Sequence, residues 1–344
     1  MLALSSSFLT PGPLPTDHPD SGDDPTGTET RVRRFLEFGP AGGALQHPAT
    51  AAELRAFGAA FASEQVSWVA LHNGTLRRDE HFDSLRPRPY RAPSLSSLDG
   101  TERRAAIDEA ATHLEWCETL ECARLVVRPG RIHVAWDRDG WAAAYDRGEW
   151  RHGGRWVDAQ AEHTATMFAK RRAEASPRAI DALLSSLDEL LNRADGVGVR
   201  LALENPRRGD ELGTPDEFEQ IFGELRGAPL GAWYDVGHAE ILEQLGLVDP
   251  PALRRRLEPE IDGVTITDVV GRTDGLPPGE GWTLLPIALP PLFDRDRDEN
   301  PPLSLRCGRG TEPERIHAAI ERLRNDGFDG PPPEVVEPFP IIGG

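Results

Sequence analysis

The chain has 344 residues with 38 basic and 57 acidic side chains, a formal net charge of -19 at pH 7, and 38% hydrophobic composition, enough for one large barrel or two medium domains. So acidic a field repels phosphate backbones and excludes a sequence-independent grip on nucleic acid; no apolar run reaches the ~20 residues that would span a membrane. Cys117, Cys122 and Cys307 fit neither a disulfide framework nor a zinc spacing, and "MLALSSSFLT" lacks a basic leader, so a cytoplasmic location is expected.

In chain order, the first strand reads as Leu2–Phe8. "PGPLPTDHPDSGDDPTGTET" follows, so rich in Pro, Gly and Asp that the first helix is expected to be reduced or missing. Strands are then expected at Phe35–Phe38, Val66–His72 and Ala123–Val127, with helices near 50–64 and 101–120. Residues 131–175 read as an inserted loop region carrying Trp136, Trp141, Trp150 and Trp156. Those indoles could stack on a sugar ring or form the loop's own small core.

A helix is expected to start at Ser176, with Pro177 at its first position and an apolar face from Ile180 to Ala194. "VRLALEN" reads as a buried strand, and Thr214 with Glu217 as a capping box opening the next helix. Strands at 231–238, 262–268 and 302–307 complete the set, and a last helix is expected from Thr311 with Glu314 three residues on. Eight strands alternating with helices predict an α/β fold, a single (β/α)8 TIM barrel over residues 1–327. The Pro-rich tail, 328–344, is expected to lie extended against the barrel or a neighbouring subunit of a homodimer.

In such a barrel the chemistry sits where strands end. Those positions are Glu37, His72, Arg128, Glu204 with Asn205, Asp235 with His238, Asp268, and Ser304 with Arg306. Glu204, Asp235 and His238 could form a divalent-metal site or an acid–base set. Equally, the two carboxylates could pair with Arg128 or Arg306 and hold the barrel together.

The stretches "VRLALENPRRGDELGTPDEFEQIFGEL", "GAWYDVGHAEILEQLGL" and "IDGVTITDVVGRTDGLPPGEGW" resemble the xylose isomerase-like TIM-barrel superfamily of sugar phosphate isomerases and epimerases. That superfamily also includes a zinc-dependent apurinic endonuclease. The resemblance implies a divalent metal held by Glu, Asp, His and Glu at the fifth to eighth strands, with the two Glu residues moving protons. The first two ligands match as Glu204 and Asp235, whereas Thr265 and Ser304 stand at the third and fourth positions. Hydroxyls are poor ligands for Zn²⁺ or Mn²⁺ beside imidazole and carboxylate. Mn²⁺, Zn²⁺, Mg²⁺ or Co²⁺ is therefore expected to bind weakly or not at all. Arg128, with Arg306 as a second candidate, is expected to place a guanidinium where the cation sat. Asp268 and Asp274 are the acids close enough in sequence to replace a lost ligand.

The expected function is a divergent sugar (phosphate) isomerase or epimerase-like barrel that binds or acts on a small polyhydroxylated ligand. Glu204, Asp235 and His238 would be its catalytic or metal-holding residues; His72, Arg128, Asn205, Trp136, Glu280 and Arg306 would touch the ligand. The rivals are a silent barrel that binds a ligand or partner protein, and a metal-dependent phosphodiesterase.

Overall fold

The computed structural model describes residues 2–9, 25–46, 49–73, 93–134, 151–152, 155–283, 285, 300–308 and 310–328. Eight parallel strands close into a barrel in simple chain order. They are β1 (Leu2–Ser5), β2 (Gly42–Leu45), β3 (Ser67–His72), β4 (Arg124–Val127), β5 (Arg200–Glu204), β6 (Leu230–Asp235), β7 (Ile261–Ile266) and β8 (Leu303–Leu305), with β8 pairing back to β1. The described helices are α1 (Pro25–Leu36), α2 (Ala51–Glu64), α3 (Gly100–Thr119), α4 (Ala159–Gly196), α5 (Pro215–Glu224), α6 (Val236–Gln244), α7 (Pro250–Leu257) and α8 (Pro313–Asn325). None of them is long and apolar enough to cross a membrane.

Alternation along each strand divides the core in two. Outward residues such as Leu201 and Leu203 pack under the helices, while Ala3, Val69, Ala70, Val126, Ala202 and Trp233 form a separate cluster filling the barrel. One large ring among alanines needs room on the neighbouring strand. Gly263 supplies it, because a Cβ there would lie 2.0 Å from the Trp233 indole.

Three expectations change. Phe35–Phe38 is not a strand but the last turn and exit of α1, so the first helix is short rather than missing. Phe35 belongs to a cluster of rings, 6.3 Å from Phe8, 5.8 Å from Phe57 and 5.3 Å from Phe61, and Glu37 is left on the surface, far from any strand end. The true β2 is hidden in "GGAL"; a Cβ on Gly43 would meet the Phe61 ring at 2.3 Å, so packing demands a residue that strand propensity disfavours.

Ser176 is not an N-cap. Helix α4 begins with Asp158 as cap and runs through Pro177, which makes residues 159–175 helical. A proline inside a helix costs about 3 kcal/mol in lost bonding and steric conflict. Around it, buried Arg172 and Ser176 both bind Glu217 of α5, and that network offsets the defect. The last helix is capped by Glu312 rather than Thr311. The tail from 329 onward and Trp136, Trp141 and Trp150 lie outside the described residues.

Candidate functional site

The C-terminal strand ends converge as expected for this architecture. His72, Glu204 and Asp235 are the last residues of β3, β5 and β6, and Arg128 and Arg306 follow β4 and β8. Asp235 is also the N-cap of α6 and accepts the His238 amide at 2.9 Å, so the helix begins at once and lifts the imidazole over the mouth. The His238 Nδ1 lies 3.1 Å from the Asn205 carbonyl, which can only accept, so Nδ1 carries a proton. Asn205 itself is committed to scaffolding: its amide donates to the Asp235 carbonyl at 3.0 Å and its oxygen accepts the Asp235 N–H at 2.6 Å.

Two loops complete the mouth, each ordered by one buried carboxylate. Below the loop after β5, Glu217 accepts the Gly213 and Thr214 amides at 2.7 and 2.9 Å, while Arg172 binds the Gly209 and Glu211 carbonyls. After β7 the chain folds into a hairpin of Asp268–Val270 with Thr273–Leu276. Asp268 accepts four amides, from Val269, Gly279, Gly281 and Thr283, at 2.8 to 2.9 Å. It is therefore the organiser of the "PPGEG" loop and no replacement ligand. Asp274, on the returning strand, is the acid that reaches the mouth.

There Arg306 bridges two carboxylates, with Nη1 on Asp274 Oδ2 and Nη2 on Asp235 Oδ2, both at 2.9 Å. Arg207 holds the other oxygen of Asp274 at 3.2 Å. Across the mouth, Arg128 Nε is 3.4 Å from Glu204 Oε2 and His72 Nδ1 is 3.6 Å from Oε1. A relay fixes that imidazole: Ser5 donates to the Gln46 oxygen, which turns the Gln46 amide toward His72 Nε2 at 2.9 Å. The Nδ1 proton therefore faces Glu204. Three guanidiniums, Arg128, Arg207 and Arg306, thus stand against Glu204, Asp235 and Asp274, so these six side chains balance.

The electrostatics follow from this pairing. Burial opposes ionisation of Glu204, but His238, His72, Arg128 and Arg306 outweigh it and hold its carboxyl down to about 2. Burial also resists Asp274 ionising, yet Arg306, His238 and Arg207 keep it well below the usual carboxylate range. Burial depresses His72 to about 4 against the pull of Glu204, leaving a neutral ring. Arg306 is held more firmly protonated still, because Asp235 and Asp274 more than reverse the effect of its burial.

Could these residues hold the divalent metal of the related folds? Glu204, Asp235 and His238 offer one ligand atom each, all within 4.8 Å of one another. The rest of the donor set does not fit. Thr265 is in register with Ser304, as the third and fourth ligand positions should be, but its hydroxyl accepts the Trp233 indole N–H at 2.7 Å. Among the described residues the buried Ser304 hydroxyl has no hydrogen-bond partner. The Asp235 oxygen nearest the imidazole already carries a guanidinium.

The other expected site residues divide clearly. Glu280 pairs with Arg315 of α8 instead of joining the mouth. Trp156 lies under Arg151, at 5.3 Å from guanidinium to ring, and packs on Gly246, so this indole serves packing. Cys117, Cys122 and Cys307 are buried and free. Sequence reasoning missed Gln46, Arg207 and Trp233. Gln46 was obscured by the misplaced second strand. The hairpin turns at Gly271, whose φ is +57°, and Gly275, at φ +84°, bends the returning strand that carries Asp274; "VGRTDG" is the trace of both in the sequence.

The chain matches the family model described as "Xylose isomerase-like TIM barrel" over residues 34–331. None of the curated proteins matches it significantly. Among solved structures it is similar to a D-tagatose 3-epimerase-like protein (16% identity, TM-score 0.59, covering 94% of this chain and 95% of the other). It is also similar to the 3-keto-D-glucoside 4-epimerase of E. coli (13%, TM-score 0.60, 94% and 98%) and to an L-ribulose 3-epimerase (12%, TM-score 0.57, 95% and 86%). At these identities the likeness is one of fold. Family match, closed eight-stranded barrel and strand-end site agree: this chain belongs to the xylose isomerase-like TIM-barrel family.

Proposed function

We propose that the barrel mouth binds a small polyhydroxylated, sugar-like ligand at a centre whose positive charge comes from arginine and not from a bound divalent metal. The observation that carries this reading is the Arg306 bridge to Asp235 and Asp274 at 2.9 Å. The sugar epimerases among the structural neighbours favour a polyol, and the mouth offers acceptors and forked donors at the spacing hydroxyl groups use. Arg128 remains 62% exposed there, ready to meet a ligand oxygen.

The same geometry argues for binding over fast turnover. Proton transfer next to a carbonyl works best with a base whose pKa lies near the operating pH. Glu204, at about 2, is a weak acceptor. Its expected partner on β8 is Ser304, whose hydroxyl has no hydrogen-bond partner among the described residues to activate it. Any turnover would rest on Glu204 alone, as slow one-base exchange of a substrate C–H. The phosphodiesterase reading draws no support from a charge-balanced mouth.

The test is metal content of the purified chain, with thermal unfolding measured against a panel of ketoses and polyols, with and without chelator. The expected result is no stoichiometric metal, and ligand stabilisation of several degrees that chelator leaves unchanged. A stoichiometric metal whose removal lowers the unfolding temperature would sink the reading.

A further inference from the structure

At the end of the barrel opposite the mouth, two of the three cysteines are brought together by the way α3 stops. The helix ends at Thr119 with Leu120 as its C-cap, and Glu121 takes the left-handed conformation, at φ 53°. The Glu121 amide then donates to the Glu118 carbonyl at 3.2 Å, and the Cys122 amide to the Cys117 carbonyl at 2.8 Å. This pair of bonds is the Schellman cap, in which the side chains at the two ends of the longer-range bond meet across the turn. That contact is normally between two hydrophobic side chains. Here both are thiols, Cys117 and Cys122, at 0% and 1% exposed. Each sulfur also contacts the same Arg124 carbonyl, at 3.7 and 3.4 Å.

Standard backbone dimensions and that 2.8 Å bond put the two Cα atoms no more than about 6.7 Å apart, under the limit of about 6.8 Å that a disulfide spans. The sulfurs are already in hydrogen-bond contact. The Cys117 thiol is raised well above its usual range, first by its hydrogen bond to Cys122, and Cys122 is lowered, first by the same bond. Cys122 is thus the more nucleophilic sulfur, with a proton carrier beside it. We infer that Cys117 and Cys122 are a redox modification site, which a hydroperoxide converts to a disulfide stapling the end of α3 to the lead-in of β4. The Cys122 sulfur attacks hydrogen peroxide and becomes a sulfenic acid, releasing one water. The Cys117 sulfur then displaces the sulfenic hydroxyl, which leaves with the Cys117 proton as a second water. Two thiols and one peroxide become one disulfide and two waters. Because both thiols are buried, oxidation waits on local opening of the last turn of α3. Cys307, which follows β8, has no such partner in its cap and is pushed up to about 12 by burial, so it serves as an internal control. The site stands on helix-end geometry and is independent of what the mouth binds.

The experiment treats the native full chain with hydrogen peroxide and reads the peptide holding residues 117–122 by mass spectrometry. The expected product is that peptide short of two hydrogen atoms, with Cys307 still a thiol. Thermal unfolding of the oxidised chain should rise by a few degrees, as closing a short loop gives, and dithiothreitol should reverse the rise. Cys117→Ser and Cys122→Ser each remove the staple, so neither should gain stability from peroxide. In Cys122→Ser the remaining Cys117 should be oxidised at least about tenfold more slowly than the pair, since a raised thiol carries little thiolate. Thiols that stay reduced in the folded chain overturn the site, as do oxidation to sulfinic or sulfonic acid without a bond, a preferred bond to Cys307, and a bond that lowers the unfolding temperature. Equal oxidation rates in Cys122→Ser and the native chain overturn the assignment of Cys122 as the attacking sulfur. Should that variant fail to fold, peptide mapping of the native chain decides.

Discussion

Arg172 is buried and Arg306 half-buried beside carboxylates, and their surroundings differ in one respect that separates scaffold from site. Arg172 is saturated: Nε binds the Gly209 carbonyl, and both terminal nitrogens bind Glu217, whose oxygens also take the Ser176 hydroxyl and two amides. Arg306 is unsaturated: its two terminal nitrogens are engaged, but among the described residues Nε and the nearby Ser304 hydroxyl have no hydrogen-bond partner. Networks with every valence used rigidify a fold, whereas leftover valence in a buried cluster points to something else that binds there.

The largest effect is expected at the saturated arginine. Arg172→Ala strands the Glu217 carboxylate and loosens the loop after β5, so denaturant unfolding should show a loss of about 3–5 kcal/mol. Arg306→Met should cost less, about 1–3 kcal/mol, because water at the mouth can rehydrate Asp274. Equal losses would erase the distinction between the two arginines.

Acid should act mainly on the mouth. His72 is depressed to about 4 from 6.5, so the unfolded chain binds its proton first as pH falls. Its contribution is fully present above pH 6.5 and disappears as pH falls to about 4, on the order of 3 kcal/mol. Glu204, with its folded value at about 2 against 4.5, adds a second loss from about pH 4.5 to 2. In unfolding experiments across this range, His72→Gln should flatten the upper limb and also shrink the lower one, because His72 is one of the groups that hold the Glu204 carboxyl down. His113, buried on α3 and also lowered to about 4, adds a loss over the same range. An unchanged pH profile for His72→Gln would argue against a neutral imidazole in the mouth.

The smallest effect belongs to the surface pair. Glu280→Ala removes an exposed contact with Arg315, so stability should move by less than about 1 kcal/mol and ligand binding not at all. A clear loss of ligand affinity would return Glu280 to the site.

These contrasts follow what could be read in the sequence. Strands with apolar runs ending in a charge, such as "LALE" and "AWYD", announced both the barrel and the two carboxylates, because burial on both faces and an acid at the end leave few alternatives. What stayed hidden depended on distant packing. Gly43 belongs to a strand because Phe61 leaves no space for a Cβ, and Pro177 stays inside a helix because a buried ion pair surrounds it. Asp274 reaches Arg306 through a hairpin whose position is fixed by Asp268, six residues away in sequence and on the opposite strand of the turn. Ser176 with Pro177 shows the converse: correct local cap chemistry, overridden by tertiary contacts.

A guanidinium carried on β8 cannot dissociate, exchange or be starved away. Sites that recruit their cation from solution inherit the Irving–Williams order and with it the hazard of copper or nickel displacing the intended ion. Arg306 stays charged at every physiological pH and arrives with translation. On the proposed reading, the mouth would be electrostatically complete from the moment the barrel closes, whatever metals the surroundings contain.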